Sequence, residues 1–508
     1  MKRSKGIAFW SLTFLMLAAL ALPSRLSAQG NFVYTNDNGT VSGSNTVSGF
    51  SVASNGTLTP VPGSPFATGG TGPPVSQYIA SNVVAVSTLG NFLFASNGGS
   101  NDVSVFSINA STGTLSLVAG SPFPTGGSAF LGIALSATPD DKFLIAANSG
   151  SVGSGGFTKF NLTVFSIASS GALTPIPGSP FSTLASPDGI KVSPDGKFLA
   201  VAENVGSGIA IGTNQVEMFS IASNGSLTSL GAFPGSSGIG NGLAGVDINC
   251  ASSLLYGGES TLLSSTLVGN TVVDGYSIAS NGILTPLPGS PFEPGVGKNS
   301  NVVLLSPDDK TLFVSNQSSN TITVFTVASN GILSLVSGSP FPMNGSMPFP
   351  LTMATSQDGT LLYVADDFTA NPSVSVFSVA SGGALTEVAG SPFSTGRCSP
   401  GQLCRFGGVK LTAFPPKTCS PQQATQAIIN AVNALFSQGV LNGGQENSLV
   451  VKLQHAINLM NAAKTAAAIG NLNAFIGEVN DLLSSGVLSP SQAAPLISAA
   501  ESVIARLS

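Results

Sequence analysis

A segment of about fifty residues recurs seven times, and this periodicity constrains the fold more than any other feature of the chain. Each copy contains a stretch of the type Phe50-Ser-Val-Ala-Ser-Asn-Gly-Thr-Leu-Thr. The copies begin at Phe50, Phe106, Phe165, Phe219, Tyr276, Phe325 and Phe377. Six of them end in Gly-Ser-Pro-Phe, whereas the fourth reads Ala232-Phe233-Pro234-Gly235. Because a unit of this size buries its apolar face only against its neighbours, the period predicts a repeat architecture.

Each repeat contains the signals of two β-hairpins. Phe50 and Val52 share one face of a strand, and Asn55-Gly56 then supplies the residue types that tolerate positive φ in a tight turn. A second hairpin precedes each copy, as in Gly189-Ile-Lys-Val-Ser followed by Pro194-Asp-Gly. Each unit is therefore expected to form four strands, which we name A to D in chain order. Seven such sheets packed radially predict a seven-bladed β-propeller.

The two ends of the repeat region complement each other. The first unit begins directly with a B strand at Asn31-Phe-Val-Tyr, and the last A strand, at 408–412, has no B strand after it. The sequence therefore predicts that strand 408–412 pairs with the first blade and closes a propeller that spans 29–416. Closure removes the two exposed sheet edges that an open ring would have.

After Pro415-Pro416 the apolar pattern changes to the 3.6-residue period of helices. Ser420-Pro421 and Ser489-Pro490 have the form of a helix N-cap followed by proline, and the predicted helix stops are Gly439, Gly470 and Gly486. Residues 417–508 are therefore predicted to form a small all-α bundle of three or four helices. The expected fold class is an all-β seven-bladed propeller followed by this helical domain.

Residues 1–28 have the pattern of an export signal. Lys2, Arg3 and Lys5 precede an apolar run, and Leu26-Ser-Ala provides a small-residue cleavage site before Gln29. No later run is long and apolar enough to span a bilayer, so we expect no membrane span after signal cleavage. The expected location of the mature protein is periplasmic, extracellular or on the cell surface.

Four cysteines are compatible with an oxidising compartment. Cys398 and Cys404 lie six residues apart with Pro400-Gly401 between them, which predicts a small disulfide ring. Cys250 and Cys419 are distant in sequence, and the sequence leaves their pairing open.

Composition excludes several classes of function. Residues 1–28 contain four of the 17 Lys and Arg residues, so 13 positive charges remain against 22 acidic residues, and binding of nucleic acid is not expected. The chain has one histidine, no CxxC spacing and no GxSxG motif. We therefore expect neither a metal site nor a cofactor.

The repeats resemble the lactonase, or 6-phosphogluconolactonase-like, propeller family with YVTN-type repeats. The motifs that carry this resemblance are Ser193-Pro-Asp-Gly-Lys-Phe-Leu-Ala-Val-Ala with Val216-Glu-Met-Phe-Ser-Ile, Ser306-Pro-Asp-Asp-Lys-Thr-Leu-Phe-Val-Ser with Ile322-Thr-Val-Phe, and Leu361-Leu-Tyr-Val-Ala-Asp with Val374-Ser-Val-Phe. The resemblance implies a catalytic funnel with His, Arg and acidic side chains. Here the propeller has no histidine, and its only arginines are Arg397 and Arg405, so no catalytic residue is transferred.

The helical tail resembles the FIMAH-type domain found at the C-terminus of some exported bacterial proteins. The residues that carry this resemblance are Leu453-Gln-His-Ala-Ile-Asn-Leu, Phe475-Ile-Gly-Glu-Val and Leu496-Ile-Ser-Ala-Ala. The resemblance implies an attachment or interaction module.

The strand order separates two faces of the propeller. The short A–B and C–D turns share what we call the turn face, and the B–C and D–A connections share the loop face, where binding is expected. Alignment of the A strands predicts a ring around the channel at Ala85, Ala134, Lys191, Asp247, Leu304, Met353 and Lys410. Its polar members could form a structural ion pair or water site, or an anion site with Lys191 and Lys410 as charge partners. The remaining candidates for a ligand site are Arg397 and Arg405.

Three functional hypotheses follow. The leading one is an exported, non-enzymatic propeller with a degenerate catalytic site that binds a small molecule, a glycan or a surface protein. The second is a lactone hydrolase in which Glu203 or Asp188 activates water while Lys191 or Arg405 stabilises the oxyanion. We expect Lys191 to lower the pKa of Glu203, which disfavours Glu203 as a base. The third is a cell-surface protein that self-assembles.

Overall fold

The computed structural model describes most of the chain between Gly30 and Leu507. The described residues are 30–38, 43–73, 83–129, 132–153, 156–204, 213–239, 242–260, 272–293, 295, 300–317, 319–344, 350–366, 372–395 and 410–507. The expected signal 1–28 lies outside them, as do Arg397, Cys398, Cys404 and Arg405.

Seven antiparallel sheets form a seven-bladed β-propeller, and each has the strand order A-B-C-D. From blade 1 to blade 7 the A strands are Lys410–Phe414, Val84–Val86, Ile133–Ala137, Ser186–Val192, Gly242–Ile248, Ser300–Leu305 and Pro350–Thr355. The B strands are Phe32–Asn36, Phe92–Asn97, Phe143–Asn148, Phe198–Asn204, Leu254–Ser260, Thr311–Asn316 and Leu361–Asp366. The C strands are Thr46–Val52, Asp102–Ile108, Asn161–Ile167, Thr213–Ile221, Val273–Ile278, Thr321–Val327 and Ser373–Val379. The D strands are Leu58–Pro60, Leu115–Leu117, Leu173–Pro175, Leu227–Ile239, Leu284–Pro286, Leu333–Leu335 and Leu385–Glu387.

The Gly-Ser-Pro-Phe endings continue the D strands in a second short piece. Five such pieces pair with the C strand of their blade, at Phe66–Ala67, Phe123–Pro124, Phe181–Ser182, Phe341–Pro342 and Phe393–Ser394. In blade 5 an isolated bridge between Val273 and Phe292 takes this place. In each of the six copies the serine Oγ accepts a hydrogen bond from a strand C backbone N–H, as Ser64 Oγ does from Gly49 at 2.9 Å. Blade 4 lacks the motif, and its D strand is one long element with two irregularities of register.

The A–B turns explain why each inner hairpin closes in the same way. In blades 2 to 7 the turn has five residues between the strands. Ser193 Oγ accepts from the Phe198 N–H at 2.9 Å and donates to Asp195 Oδ1 at 2.6 Å, and Ser306 repeats this arrangement in blade 6. The fourth turn residue has positive φ in all six turns, which explains Gly196 at this position. A further hairpin, Ser151–Gly153 with Gly156–Thr158, lies in the B–C connection of blade 3.

The ring is closed by a strand from the far end of the repeat region. Lys410–Phe414 pairs antiparallel with Phe32–Asn36, so blade 1 contains both ends of the propeller. The closing strand ends at Phe414, two residues beyond the predicted end at 412, and residues 408 and 409 lie outside the described part of the chain. Its register places Phe414 opposite Phe32, and both rings are buried.

The apolar core is divided into seven clusters, and each cluster joins two neighbouring blades. Alternate residues of a B strand face opposite neighbours: Leu93 packs towards blade 1, whereas Phe94 packs towards blade 3. Since both faces of each sheet are buried, the B strands are nearly continuous apolar runs rather than alternating ones.

The tail forms four helices around a separate apolar core. Their bounds are α1 Pro421–Ser437, α2 Gly443–Asn461, α3 Thr465–Ser484 and α4 Pro490–Leu507. Ser420 forms a capping box with Gln423 at the start of α1, which agrees with the N-cap predicted from Ser420-Pro421. Gly439 and Gly486 follow α1 and α3 with positive φ, but Gly470 lies inside α3, so its prediction as a helix stop is wrong. Among the described residues, no helix has the length and apolar character needed to cross a bilayer.

Candidate functional site

Strand pairing defines which A-strand residues lie at one level of the channel. The residues opposite the same B-strand position are Ala85, Ser136, Lys191, Asp247, Leu304, Ala354 and Thr412. We call these seven residues the channel ring. The predicted ring therefore needs correction at three positions. Ala134 and Lys410 lie two residues closer to the loop face, and Met353 is one residue out of register.

Asp247 is the centre of the ion pairs in the channel. Its carboxylate is buried, Oδ1 lies 2.8 Å from Lys191 Nζ, and Oδ2 lies 3.4 Å from Lys417 Nζ. The Leu305 N–H donates to Oδ2 at 2.9 Å. Burial alone would raise the pKa of Asp247, but the two lysines and this hydrogen bond hold the pKa at about 2. Lys191 therefore neutralises an acid of the next blade, and Asp247 receives a second cation from the tail.

Lys410 occupies a different layer from Lys191. It pairs in register with Asn36 at the loop-face end of the closing strand, and its side chain is buried. The cations that flank Asp247 are therefore Lys191 and Lys417, not Lys191 and Lys410.

A small cavity occupies the part of the channel near the turn face. Its volume is about 260 Å³, and its wall includes the channel-ring residues Lys191, Leu304 and Thr412. The tail contributes Lys417 and Arg506 to the same wall. The cavity is therefore bounded by the propeller and the tail together.

A second set of polar residues lies at the loop-face end of the B strands. One buried acid or amide occupies the same position in every blade: Asp37, Asn97, Asn148, Glu203, Glu259, Asn316 and Asp366. These side chains bind strand C and the D–A connections, as Asn97 Nδ2 donates to Ser104 Oγ at 2.8 Å. The set is a repeated structural brace, which the sequence reading did not recognise although its positions are regular.

Glu203 is fully buried within this brace. Its Oε1 accepts from the backbone N–H groups of Leu184 and Ala185 at 3.1 and 3.0 Å, and its Oε2 accepts from Gln215 Nε2 at 2.5 Å. Glu217 Oε2 accepts from the same Leu184 N–H at 3.0 Å, so the two carboxyl groups are neighbours. Burial and the adjacent Glu217 raise the pKa of Glu203 to about 8. The expected lowering by Lys191 is therefore wrong, because the charged neighbour of Glu203 is an acid.

The remaining acid candidates lie near the loop face. Asp188 is the extra residue of a β-bulge between Pro187 and Gly189, at the start of strand A in blade 4. Asp366 accepts hydrogen bonds from Ser373 Oγ and Ser375 Oγ, and burial raises its pKa to about 7. Among the described residues, no hydrogen bond or ion pair joins Lys191 to Asp188 or to Glu203. Within the same residues, no group of three or more potential metal ligands is present.

The tail is attached to the turn face by polar contacts and by a covalent bond. Cys419 forms a disulfide with Cys250, which occupies the second position of the A–B turn in blade 5. Gln423 Nε2 donates to the Pro307 carbonyl at 2.7 Å in blade 6. Arg506 Nη1 returns to the Cys419 carbonyl at 2.9 Å. The sequence left the pairing of these two cysteines open, and it gave no sign that Lys417 and Arg506 approach the channel.

Part of the chain matches the model of a known protein family. The family model described as "Lactonase, 7-bladed beta-propeller" matches residues 24–127, 77–152 and 278–398. Comparison with curated proteins finds no match.

Solved structures of similar architecture cover about three quarters of this chain. A 6-phosphogluconolactonase-like protein from Bacteroides fragilis is 22% identical, with a TM-score of 0.51 over 72% of this chain and 96% of its own. A second such protein, from Bacteroides uniformis, is 18% identical, with a TM-score of 0.54 over 76% of this chain and 100% of its own. At these identities the likeness establishes the fold alone. Together with the family match and the seven blades, it identifies the repeat region as a lactonase-type seven-bladed β-propeller.

Proposed function

We propose that the chain is an exported, non-catalytic binding protein that holds a glycan or a surface protein on its loop face. The observation that supports this proposal is the difference in length between the connections of the two faces. The six A–B turns all have five residues, whereas the B–C connections range from four residues, at 98–101 and 317–320, to twelve, at 149–160 and 261–272. Variation confined to one face of a rigid frame is typical of a binding surface.

Two further observations support the proposal. Among the described residues, the tail contacts the turn face at blades 5 to 7, so the loop face is the side of the propeller that it leaves open. Glu203, the strongest acid candidate, braces the backbone of Leu184 and Ala185 and is buried away from solvent. A general base must reach a proton of the substrate, and this arrangement directs its oxygens elsewhere.

Export is part of the same proposal. A basic start, an apolar run and a small-residue site precede Gln29, and the Cys250–Cys419 disulfide is typical of proteins from oxidising compartments. Mass spectrometry of the protein recovered from an expressing bacterium tests this. We expect a mature chain that begins at Gln29, and retention of residues 1–28 would contradict signal cleavage.

Binding is tested on an array of soluble glycans and bacterial polysaccharides. The variant replaces 261–272 with the four-residue connection 317–320, and its matched control carries Asn224→Asp in a C–D turn of the turn face. We expect the loop replacement to lose glycan binding and the control to retain it. Equal binding by both variants, or no binding by the parent protein, would refute a glycan site on the loop face.

A lactone hydrolase is the second candidate, because the match to the lactonase family favours it. Its reaction would need Glu203 or Asp188 as the base, with Lys191 or Arg405 near the oxyanion. Glucono-lactone hydrolysis by the mature protein, followed as acid release, tests this candidate. Turnover that falls at least about tenfold in Glu203→Gln or Lys191→Met would support it, with one tenfold step equal to about 1.4 kcal/mol of transition-state stabilisation.

The FIMAH resemblance of the tail leads us to propose attachment to another molecule as its role.

A further inference from the structure

The charged side chains in the wall of the cavity near the turn face are all positive. Its charged lining residues are Lys191, Lys417 and Arg506, and among the described residues its lining includes no carboxylate. Most of the other lining side chains are apolar, including Val86, Leu135 and Met353. A cavity with cations and apolar side chains, but no lining acid, is complementary to an anion that has an apolar body.

The ion pairs leave positive charge unneutralised at this site. Asp247 lies behind the wall and faces both Lys191 and Lys417, so one buried carboxylate serves two cations. Arg506 donates to the carbonyl of Cys419, and no described carboxylate lies within ion-pair distance of it. Asp309, in the A–B turn of blade 6, is a second acid that interacts with Lys417, and burial raises its pKa to about 6. Three cations therefore face two acids, so one positive charge is in excess beside this space. Charge interactions in such a partly desolvated space are stronger than on the open surface.

The tail leaves a path into this cavity. Its hydrogen bonds and its disulfide reach the turns of blades 5 to 7, through Ser280, Cys250, Pro307 and Gln357. The turns of blades 2 to 4 line the cavity through Thr88, Pro139 and Pro194, and no hydrogen bond joins them to the described part of the tail. The Lys191 side chain is 32% exposed at this side, so solvent reaches the cation.

We infer that the cavity between the propeller and the tail binds a small organic carboxylate with an apolar body. The carboxylate would lie between Lys191 and Arg506, and the apolar body would contact the channel ring at Leu304 and Ala354. The volume of about 260 Å³ is suited to a small molecule. This site lies on the opposite side of the propeller from the proposed loop-face surface, so it is a second site and does not depend on the first.

Isothermal titration calorimetry with two probes of the same shape tests the inference. Cyclohexanecarboxylate has the charge, and cyclohexanecarboxamide lacks it. With the full mature chain, we expect the carboxylate to bind at least about tenfold more tightly than the amide. Arg506→Gln, at the exposed rim, should weaken binding of the carboxylate by about tenfold and leave binding of the amide unchanged. Ala354→Leu should fill the cavity and abolish binding of both probes.

The matched control is Lys159→Gln, which removes the same charge from the loop face. We expect it to bind both probes as the parent does. Equal affinity for acid and amide, absence of carboxylate binding at millimolar concentration, or an equal loss in Lys159→Gln and Arg506→Gln would each overturn the inference. Each variant's thermal unfolding is compared with that of the parent, so that a loss of binding is not confused with a loss of fold.

Discussion

The turn face and the loop face of this propeller are built under different constraints. On the turn face, six A–B turns of identical length repeat one hydrogen-bonded geometry, and the tail is fixed to it through a disulfide. On the loop face, the B–C connections vary from four to twelve residues. The strand ends that they join are held by Asp37, Glu203 and the equivalent buried side chains. The comparison indicates that the frame tolerates B–C connections of different length because its buried polar brace ties the strand ends to strand C and to the D–A connections.

The two faces also differ in the electrostatic state of their acids. Near the turn face Asp247 is held ionised by two lysines, whereas near the loop face Glu203 and Asp366 have raised pKa values because they are buried without a cation. Asp309, in the A–B turn of blade 6, departs from this contrast, because burial raises its pKa to about 6. The opposite pKa shifts therefore distinguish Asp247 from Glu203 and Asp366. These contrasts can be tested by perturbing one face at a time.

Removal of the closing strand should have the largest effect. A chain that ends at residue 409 loses Leu411 and Phe414 and leaves Phe32 without its partner, so we expect a cost of more than about 5 kcal/mol or loss of cooperative unfolding. A chain that ends at Ser420 retains the strand and Cys419, and its propeller should melt within a few degrees of the parent. Thermal unfolding of both chains decides this, and equal stability would contradict closure by residues 410–414.

Removal of the disulfide is the next largest change. The double variant Cys250→Ser, Cys419→Ser frees a cross-link between residues 169 apart in sequence, and we expect a loss of about 2–5 kcal/mol. Denaturant unfolding under non-reducing conditions measures it. The matched comparison is the parent in reductant, which should show the same loss. An unchanged midpoint in both would mean that the turn face holds the tail without the covalent bond.

The pH dependence of stability should show the raised pKa of Glu203. A raised folded-state pKa contributes stability that is full below about pH 4.5 and is lost as the pH rises through about 8, because the folded state then loses a proton that it had retained. Glu203→Gln should reduce this decline by about 1 kcal/mol or more, whereas Glu501→Gln, in an exposed part of α4, should not. Parallel pH profiles of the parent and Glu203→Gln would show that Glu203 does not titrate in this range.

The loss of stability at low pH should depend on Asp247, near the turn face. We call this part of the pH profile the acid limb. Because the pKa of Asp247 is lowered to about 2, its contribution is present above about pH 4 and is lost as the pH falls towards 2. In Asp247→Asn the acid limb should flatten, with a loss of about 3 kcal/mol at neutral pH because two lysines lose their counter-ion. Denaturant unfolding between pH 2 and 5 measures this limb.

Changes in loop length should have the smallest effect on the loop face. Replacing 261–272 by the sequence of 317–320 should change the free energy of unfolding by about 1 kcal/mol or less, since loop entropy varies slowly with length. Inserting two glycines between Asp195 and Gly196 should cost more, because the Ser193–Phe198 hydrogen bond is lost. Denaturant midpoints compare the two, and a larger loss from the loop replacement would reverse the contrast between the faces.

The sequence predicts much of this architecture because its repeats give the strand count directly. Asn-Gly pairs and Ser-Pro-Asp-Gly turns place the hairpins, and the unpaired strands at the two ends indicate closure. The register of the A strands was less accessible. Blades 4 to 7 each contain an irregularity in the A–B ladder, as between Pro350 and Met353. The predicted ring also failed at Ala134 and Lys410, where the ladder is regular, so bulges do not account for all three errors.

The candidate site depended on contacts that sequence distance conceals. Lys417 follows the closing strand by three residues, yet it reaches Asp247, 170 residues earlier. Glu217 lies next to Glu203 because strands B and C of blade 4 pair, and this proximity could have been read from the repeat alignment. The Cys250 position could also have been noticed, since it replaces the proline that Ser193-Pro and Ser306-Pro have at the same turn position.

The position of the disulfide has a mechanical consequence. The chain leaves blade 1 at Phe414 and is bonded to blade 5 at Cys419, five residues later and before the first helix begins. A pulling force applied to the helical tail therefore reaches blade 5 through a covalent bond. It does not load the hydrogen bonds of the closing strand, which would otherwise be the first to shear. If the tail anchors the protein to a surface, the ring can carry tension without being opened by it.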